Sequence, residues 1–137
     1  IFKIYPSTLN IEINKTNYLA KINYDSKTFI VGSNGQLINK KHIDNHLPYI
    51  FGNPEIKEFL KFKKIIDDSK FSYDQINYLY FYPSKRWDLE LKNGIIIKLS
   101  NLNVVNLLNQ SYEFLKDENF RDIKIIDARI KNQIIIK

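Results

Sequence analysis

Between Trp87 and Leu99 the sequence leaves little freedom of fold. Trp87, Leu89 and Leu91 alternate with Asp88, Glu90 and Lys92, and Ile95, Ile97 and Leu99 follow Asn93-Gly94. A period of two marks a strand with one buried face. A two-residue loop would set Leu91 against Ile96 and Leu89 against Lys98, which puts a charge on the apolar face. A three-residue loop, Lys92-Asn93-Gly94, instead sets Leu91 against Ile95, Leu89 against Ile97 and Trp87 against Leu99. Only the second register keeps one face apolar, so a bulged hairpin with Gly94 in the left-handed region is expected.

Other segments follow from the same reasoning. After the break at Tyr5-Pro6-Ser7, Leu9, Ile11 and Ile13 alternate with Asn10, Glu12 and Asn14, again a half-buried strand. Strands are expected at 18–24 and 28–31, then a turn at Ser33-Asn34-Gly35, a short lead-out at 36–38, a polar loop at 39–42 and a short apolar segment at 47–52. The period then changes. Asn53 is placed to cap a helix over 54–67, with Pro54 in its first position and Glu55 and Glu58 near the positive end of its dipole. An aromatic strand at 77–82 is stopped by Pro83. A one-sided amphipathic helix is expected over 102–116, with Ser100 or Asn101 as cap, and strands at 123–130 and 133–137 close the chain. These elements make an α+β fold, an antiparallel β-sheet with two packed α-helices.

At 137 residues, with 44% hydrophobic and 26% charged residues, the chain fits one compact domain, or one domain plus a small remnant, rather than two full domains. No window reaches the ~18 uncharged apolar residues of a membrane span. Cys is absent, which excludes disulfides, Cys-ligated metal and thiol chemistry. Met is absent too, and a chain opening on Ile1 without an initiator reads as a piece of a longer product whose signal or anchor precedes it. The net charge of +6 comes from 18 Lys and only 3 Arg, scattered among carboxylates. Phosphate recognition favours Arg and clustered charge, so the excess does not point to nucleic acid.

Few residues suggest chemistry. His42 and His46, with Asp44 between them, are part of a zinc site on paper, but no third ligand is adjacent and the segment lacks helical periodicity. Asp67 and Asp68 are consecutive and would point about 100° apart on a helix, as a solvated end does. No serine lies in a nucleophile elbow, and there is no phosphate loop or dinucleotide fingerprint. The sequence therefore reads as non-enzymatic, with no metal or cofactor. Tyr78, Tyr80, Phe81 and Tyr82, with the Lys residues, form the alternative reading, a single-stranded nucleic-acid binder. The plainer expectation is that Leu79 and Phe81 face the core while the tyrosines cover the sheet with wet hydroxyls. Trp87 is expected in the core. Ile134-Ile135-Ile136 ends the chain with high β propensity. At a sheet edge that strand would accept a partner's extended segment; it could equally be interior, or covered by a further tail.

The ordered series Tyr5-Pro6-Ser7-Thr8-Leu9, Leu47-Pro48 with Gly52, Arg86-Trp87-Asp88-Leu89-Glu90-Leu91-Lys92-Asn93-Gly94 and Ile126-Asp127-Ala128-Arg129 resembles the bacterial cell-division protein family FtsQ/DivIB over essentially the whole chain. The resemblance implies a cytoplasmic tail and a single membrane anchor upstream, then a POTRA domain and a β domain outside the membrane. Residues 1–14 would be the last strands of POTRA and 15–137 the β domain, on the periplasmic side of the inner membrane at the septum. It implies a scaffold of the divisome that binds FtsB and FtsL, with a segment of FtsB adding to the last strands of the β domain. Carried onto this sequence, the partner site would be Arg129, Ile130, Lys131, Asn132 and Gln133, with Arg86 on a neighbouring strand. Arg129 would pair a carboxylate and Ile130 would hold an apolar anchor. The chain departs from the family's pattern near the start of the β domain, where it has Tyr18-Leu19-Ala20-Lys21-Ile22, and at Gly32. After Arg129 the family often has an aromatic and then a small residue. Here those places hold Ile130 and Asn132-Gln133, so an aromatic anchor is lost.

Overall fold

The computed structural model describes residues 16–40 and 46–137, which form one nine-stranded sheet and two helices. In chain order these are β1 (Tyr18–Tyr24), β2 (Lys27–Gly32), β3 (Leu37–Ile38), β4 (Tyr49–Phe51), α1 (Ile56–Asp68), β5 (Ile76–Phe81), β6 (Trp87–Leu91), β7 (Ile96–Leu99), α2 (Val104–Lys116), β8 (Ile125–Ala128) and β9 (Ile135–Ile136). Across the sheet the order is β3-β2-β1-β4-β5-β6-β7-β8-β9. The strand expected at Leu9, Ile11 and Ile13, and with it the expected POTRA boundary, lies outside the described residues, as do His42 and Asp44. Among the described residues no helix is long and apolar enough to cross a membrane.

The α+β class agrees with the sequence, but the sheet is mixed rather than wholly antiparallel. Three of its eight neighbouring pairs are parallel: β1 with β4, β4 with β5, and β7 with β8. Two of these follow from connectivity. α1 joins β4 to β5 and α2 joins β7 to β8, and a helical crossover carries the chain back to the end of the sheet at which the preceding strand began. The strand–helix–strand order was present in the sequence as the signal for parallel pairing.

Pairing aligns one transverse row of side chains across the sheet. Ile22, Ile50, Leu79, Leu89, Ile97 and Ile126 are direct partners in succession, each at most 1% exposed. The period of two places them on one face, and Phe59, Phe62 and Ile66 of α1 and Leu108 of α2 close over them in a single core. Burying each such side chain is worth roughly 1.5–3 kcal/mol. Trp87 joins this core, its ring 4.7 Å from that of Phe62 and tilted only 4° from it. The hairpin has the expected register: Leu89 pairs with Ile97, the Leu91 N–H donates to the Ile95 carbonyl at 2.8 Å, and Gly94 has φ 91°.

The helix starts differ from expectation. Glu55 is still extended (φ −66°, ψ 152°), so α1 begins at Ile56 and Asn53 does not cap it. α2 begins after Asn103, which takes the left-handed region at φ 55°. Ser100 instead turns onto Leu102, accepting its N–H at 3.3 Å, and Asn101 donates to the Ser84 carbonyl at 3.1 Å, so neither expected cap is used. Asp67 and Asp68 form i,i+4 ion pairs with Lys63 and Lys64 at 2.6 and 3.4 Å, the solvated helix end that their spacing implied.

Candidate partner-binding edge

The open face, opposite the helices, carries the remaining side chains of the same strands. One of its rows runs Phe51–Tyr80–Asp88–Lys98–Asp127–Ile135 from β4 to β9. The two carboxylates in it are buried, Asp88 at 3% and Asp127 at 7% exposure. Each is held by an arginine two residues away on its own chain. Arg86 donates to Asp88 through Nη1, and the Tyr82 hydroxyl donates to the same carboxylate at 3.0 Å. Arg129 grips Asp127 with Nε at 2.8 Å and Nη2 at 2.6 Å, and its backbone N–H donates at 3.2 Å. This fork, above all its side-chain hydrogen bonds, holds the Asp127 pKa at about 2 and pushes that of Arg129 above its ordinary value.

Order and direction together bring the arginines to one end. Arg86 precedes Asp88 on the way into β6, whereas Arg129 follows Asp127 on the way out of β8. β6 runs antiparallel to β7 and β7 parallel to β8, so β6 and β8 oppose each other and both guanidinium groups lie at the same end of the sheet. Arg86 lies 4.3 Å above the Tyr82 ring and reaches the Leu99 carbonyl at 3.4 Å. With the carboxylates buried beneath them, this end offers solvent chiefly Arg129, since the Arg86 side chain is only 19% exposed. The Arg129 side chain is 43% exposed.

Arg129, Ile130 and Gln133 are not on the expected strands, and with Lys131 and Asn132 they fall outside both. β8 ends at Ala128 and these five residues, with Ile134, form the connection to β9, closed by the Gln133 N–H donating to the Ile130 carbonyl at 3.1 Å and by Asn132 at φ 60°. The physical reason is local: three polar residues between apolar runs, with Asn tolerating the left-handed region, make a turn. Beyond it, β9 is the edge of the sheet among the described residues. The Lys137 N–H donates to the Ile125 carbonyl at 2.9 Å and its carbonyl accepts the Ile125 N–H at 3.1 Å, so by antiparallel alternation the N–H and C=O of Ile136 point away from β8.

Sequence reasoning missed a groove on the helix side of this edge. Residues 128–134 and α2 enclose about 1010 Å³, lined by Leu107 and Phe114 below and by the exposed Leu102 and Ile130 at the mouth. The amphipathic pattern of α2 hid it, because its polar half, including Asn106, Gln110 and Glu113, also faces this space.

Tyr78, Tyr80 and Tyr82 lie on the open face and Leu79 in the core, as expected, with Phe81 half-buried against Trp87 at 4.8 Å. Their hydroxyls are not simply wet. Tyr80 donates to Glu90 at 3.1 Å as well as Tyr82 to Asp88, and burial and the Glu90 bond push the Tyr80 pKa up to about 12. Carboxylates beside the rings oppose phosphate, and nothing favours the nucleic-acid alternative. Among the described residues no three His, Asp or Glu side chains gather to hold a metal ion.

Comparison with known proteins agrees with this architecture. Residues 20–129 match the family described as cell division protein FtsQ/DivIB, C-terminal. The whole chain aligns at 22% identity with the cell division protein FtsQ of Bradyrhizobium diazoefficiens, of whose length it spans 41%. The fold is similar, at a TM-score of 0.54 and 11% identity, to the major extracytoplasmic domain of the bacterial cell division protein DivIB from Geobacillus stearothermophilus, over 82% of this chain and 100% of that one. Matched over most of its length, the chain belongs to the FtsQ/DivIB family of cell-division proteins and carries that family's C-terminal domain.

Proposed function

We propose that this chain is the extracytoplasmic part of a non-enzymatic divisome scaffold, anchored by an upstream membrane span on the periplasmic side of the inner membrane at the septum. It binds FtsB, together with FtsL, by accepting an extended segment of FtsB as a new strand beside β9. The observation that carries this reading is the outward N–H and C=O of Ile136 on an edge strand, next to an end of the sheet that presents two arginines. Backbone pairing supplies affinity in such an arrangement and side-chain contacts supply specificity. Arg129 and Arg86 meet acidic side chains of the added segment. Ile130 offers an aliphatic anchor at the mouth of the groove. Lys131, Asn132 and Gln133 frame the point at which the partner enters.

Calorimetric titration of the chain with the extracytoplasmic segment of its own organism's FtsB tests the reading. Saturable binding is expected, weakened by both Arg129→Glu and Ile130→Glu while circular dichroism stays native. A folded chain that binds nothing refutes the site.

A further inference from the structure

The open face bears a second feature, separate from the β9 edge. Phe51, 42% exposed, sits among three tyrosine rings, with centroids 4.8 Å from Tyr49, 5.5 Å from Tyr78 and 5.1 Å from Tyr80, the last tilted by only 10°. β4 and β5 contribute two rings each. Exposed apolar clusters of this kind mark interaction surfaces.

The flanking charges say what kind of surface. In the row Lys21–Tyr49–Tyr78–Glu90, a cation on β1 and an anion on β6 bracket the rings. The order β1-β4-β5-β6 sets the two charges at equal distances, ~7 Å, on either side of the line between β4 and β5. A two-fold axis along that line therefore lays Lys21 of one copy over Glu90 of the other, twice, and the β4 rings over the β5 rings. Lys21 forms no ion pair among the described residues, and Glu90 only accepts the Tyr80 hydroxyl at 3.1 Å. The patch is complementary to itself, which is what an isologous interface requires.

We propose that two copies of this chain associate face to face through the Tyr49, Phe51, Tyr78 and Tyr80 cluster, with reciprocal Lys21–Glu90 ion pairs on either side. Sheets packed in this way lie about 10 Å apart with strands crossing near −30°, which leaves room for the rings to interleave. Four strands' width is smaller than the ~800 Å² per partner of a standard interface, so the dimer is weak, in the micromolar to millimolar range. The association is independent of the β9 edge, which stays free in the pair.

Sedimentation equilibrium of the 137-residue chain from about 10 µM to 1 mM reads it directly. The apparent mass is expected to rise from 16.3 kDa toward twice that value. Lys21→Glu and Glu90→Lys each place like charges across the axis and weaken association about tenfold. An equal mixture of the two variants restores it, because each then supplies what the other lacks. If Glu90→Lys does not fold, Lys21→Glu must still weaken association more than Lys21→Gln. Wild-type chain at monomer mass throughout overturns the proposal and assigns the face to another protein. A mixture that associates no better than its components overturns it too.

Discussion

Asp127 ties the two-arginine end of the sheet to pH. Its carboxylate is 7% exposed and takes three hydrogen bonds from Arg129, and that environment holds its pKa at about 2 against an ordinary 3.8. Taken whole, the difference is worth about 2.5 kcal/mol. Water reaches the partner, since the Arg129 side chain is 43% exposed, and screening reduces the contribution to about 1–2 kcal/mol. The sign follows from the direction. The folded pKa lies below the unfolded one, so the stabilisation is fully present above pH ~4 and is lost as pH falls from there through ~2. Asp127→Asn should therefore lower stability by about 1–2 kcal/mol at neutral pH, read from urea melts, and the gap to wild type should close as pH approaches ~2 because the wild-type carboxyl becomes protonated. A gap that stays constant over that range would refute the assignment of the stabilisation to the ionised pair. The same substitution frees the guanidinium, so affinity for the FtsB segment should fall as well.

Two further outcomes follow from the backbone. Ile136→Pro removes an N–H that points away from β8 and part of a half-buried side chain, so chemical denaturation should shift by about 1–2 kcal/mol while strand addition, measured by titration with the FtsB segment, is lost. Gly52→Ala should destabilise the chain by several kcal/mol in a thermal or urea melt, since φ is 98° and a Cβ there would lie 2.3 Å from the Phe81 carbonyl oxygen.

The hairpin was legible because everything that determines it is local. Register, loop length and the left-handed Gly94 all follow from which of two pairings keeps Lys98 off the apolar face. Both helices were legible in extent but not in their caps. Asn53 and Ser100 have the right chemistry, yet Glu55 stays extended and Ser100 is used in its own turn, and neither choice is encoded within a few residues. Parallel pairing was misread because strand direction depends on connectivity, which the period of two does not carry. At the candidate site, Asp88 read as a solvent-facing member of an alternating strand and Asp127 only as part of a motif, although the structure buries both. The available signal was spacing: Arg-x-Asp at 86–88 and Asp-x-Arg at 127–129 put opposite charges on the same face two residues apart, where each guanidinium can lie over its carboxylate.

That pair of motifs explains why the two-arginine end depends on the mixed sheet. In a wholly antiparallel sheet β8 would oppose β7 and run in the direction of β6. Arg129, following its aspartate, would then lie at the far end from Arg86, and each cation would stand alone. The α2 crossover makes β8 parallel to β7, reverses it relative to β6, and so brings residues 43 apart in sequence to one end, beside buried carboxylates that fix their geometry, with Arg129 the more exposed of the two. It also leaves β9, joined to β8 by a tight turn, as the outermost strand beside them. The strand direction that the sequence reading missed is thus what places the free edge and the cations together.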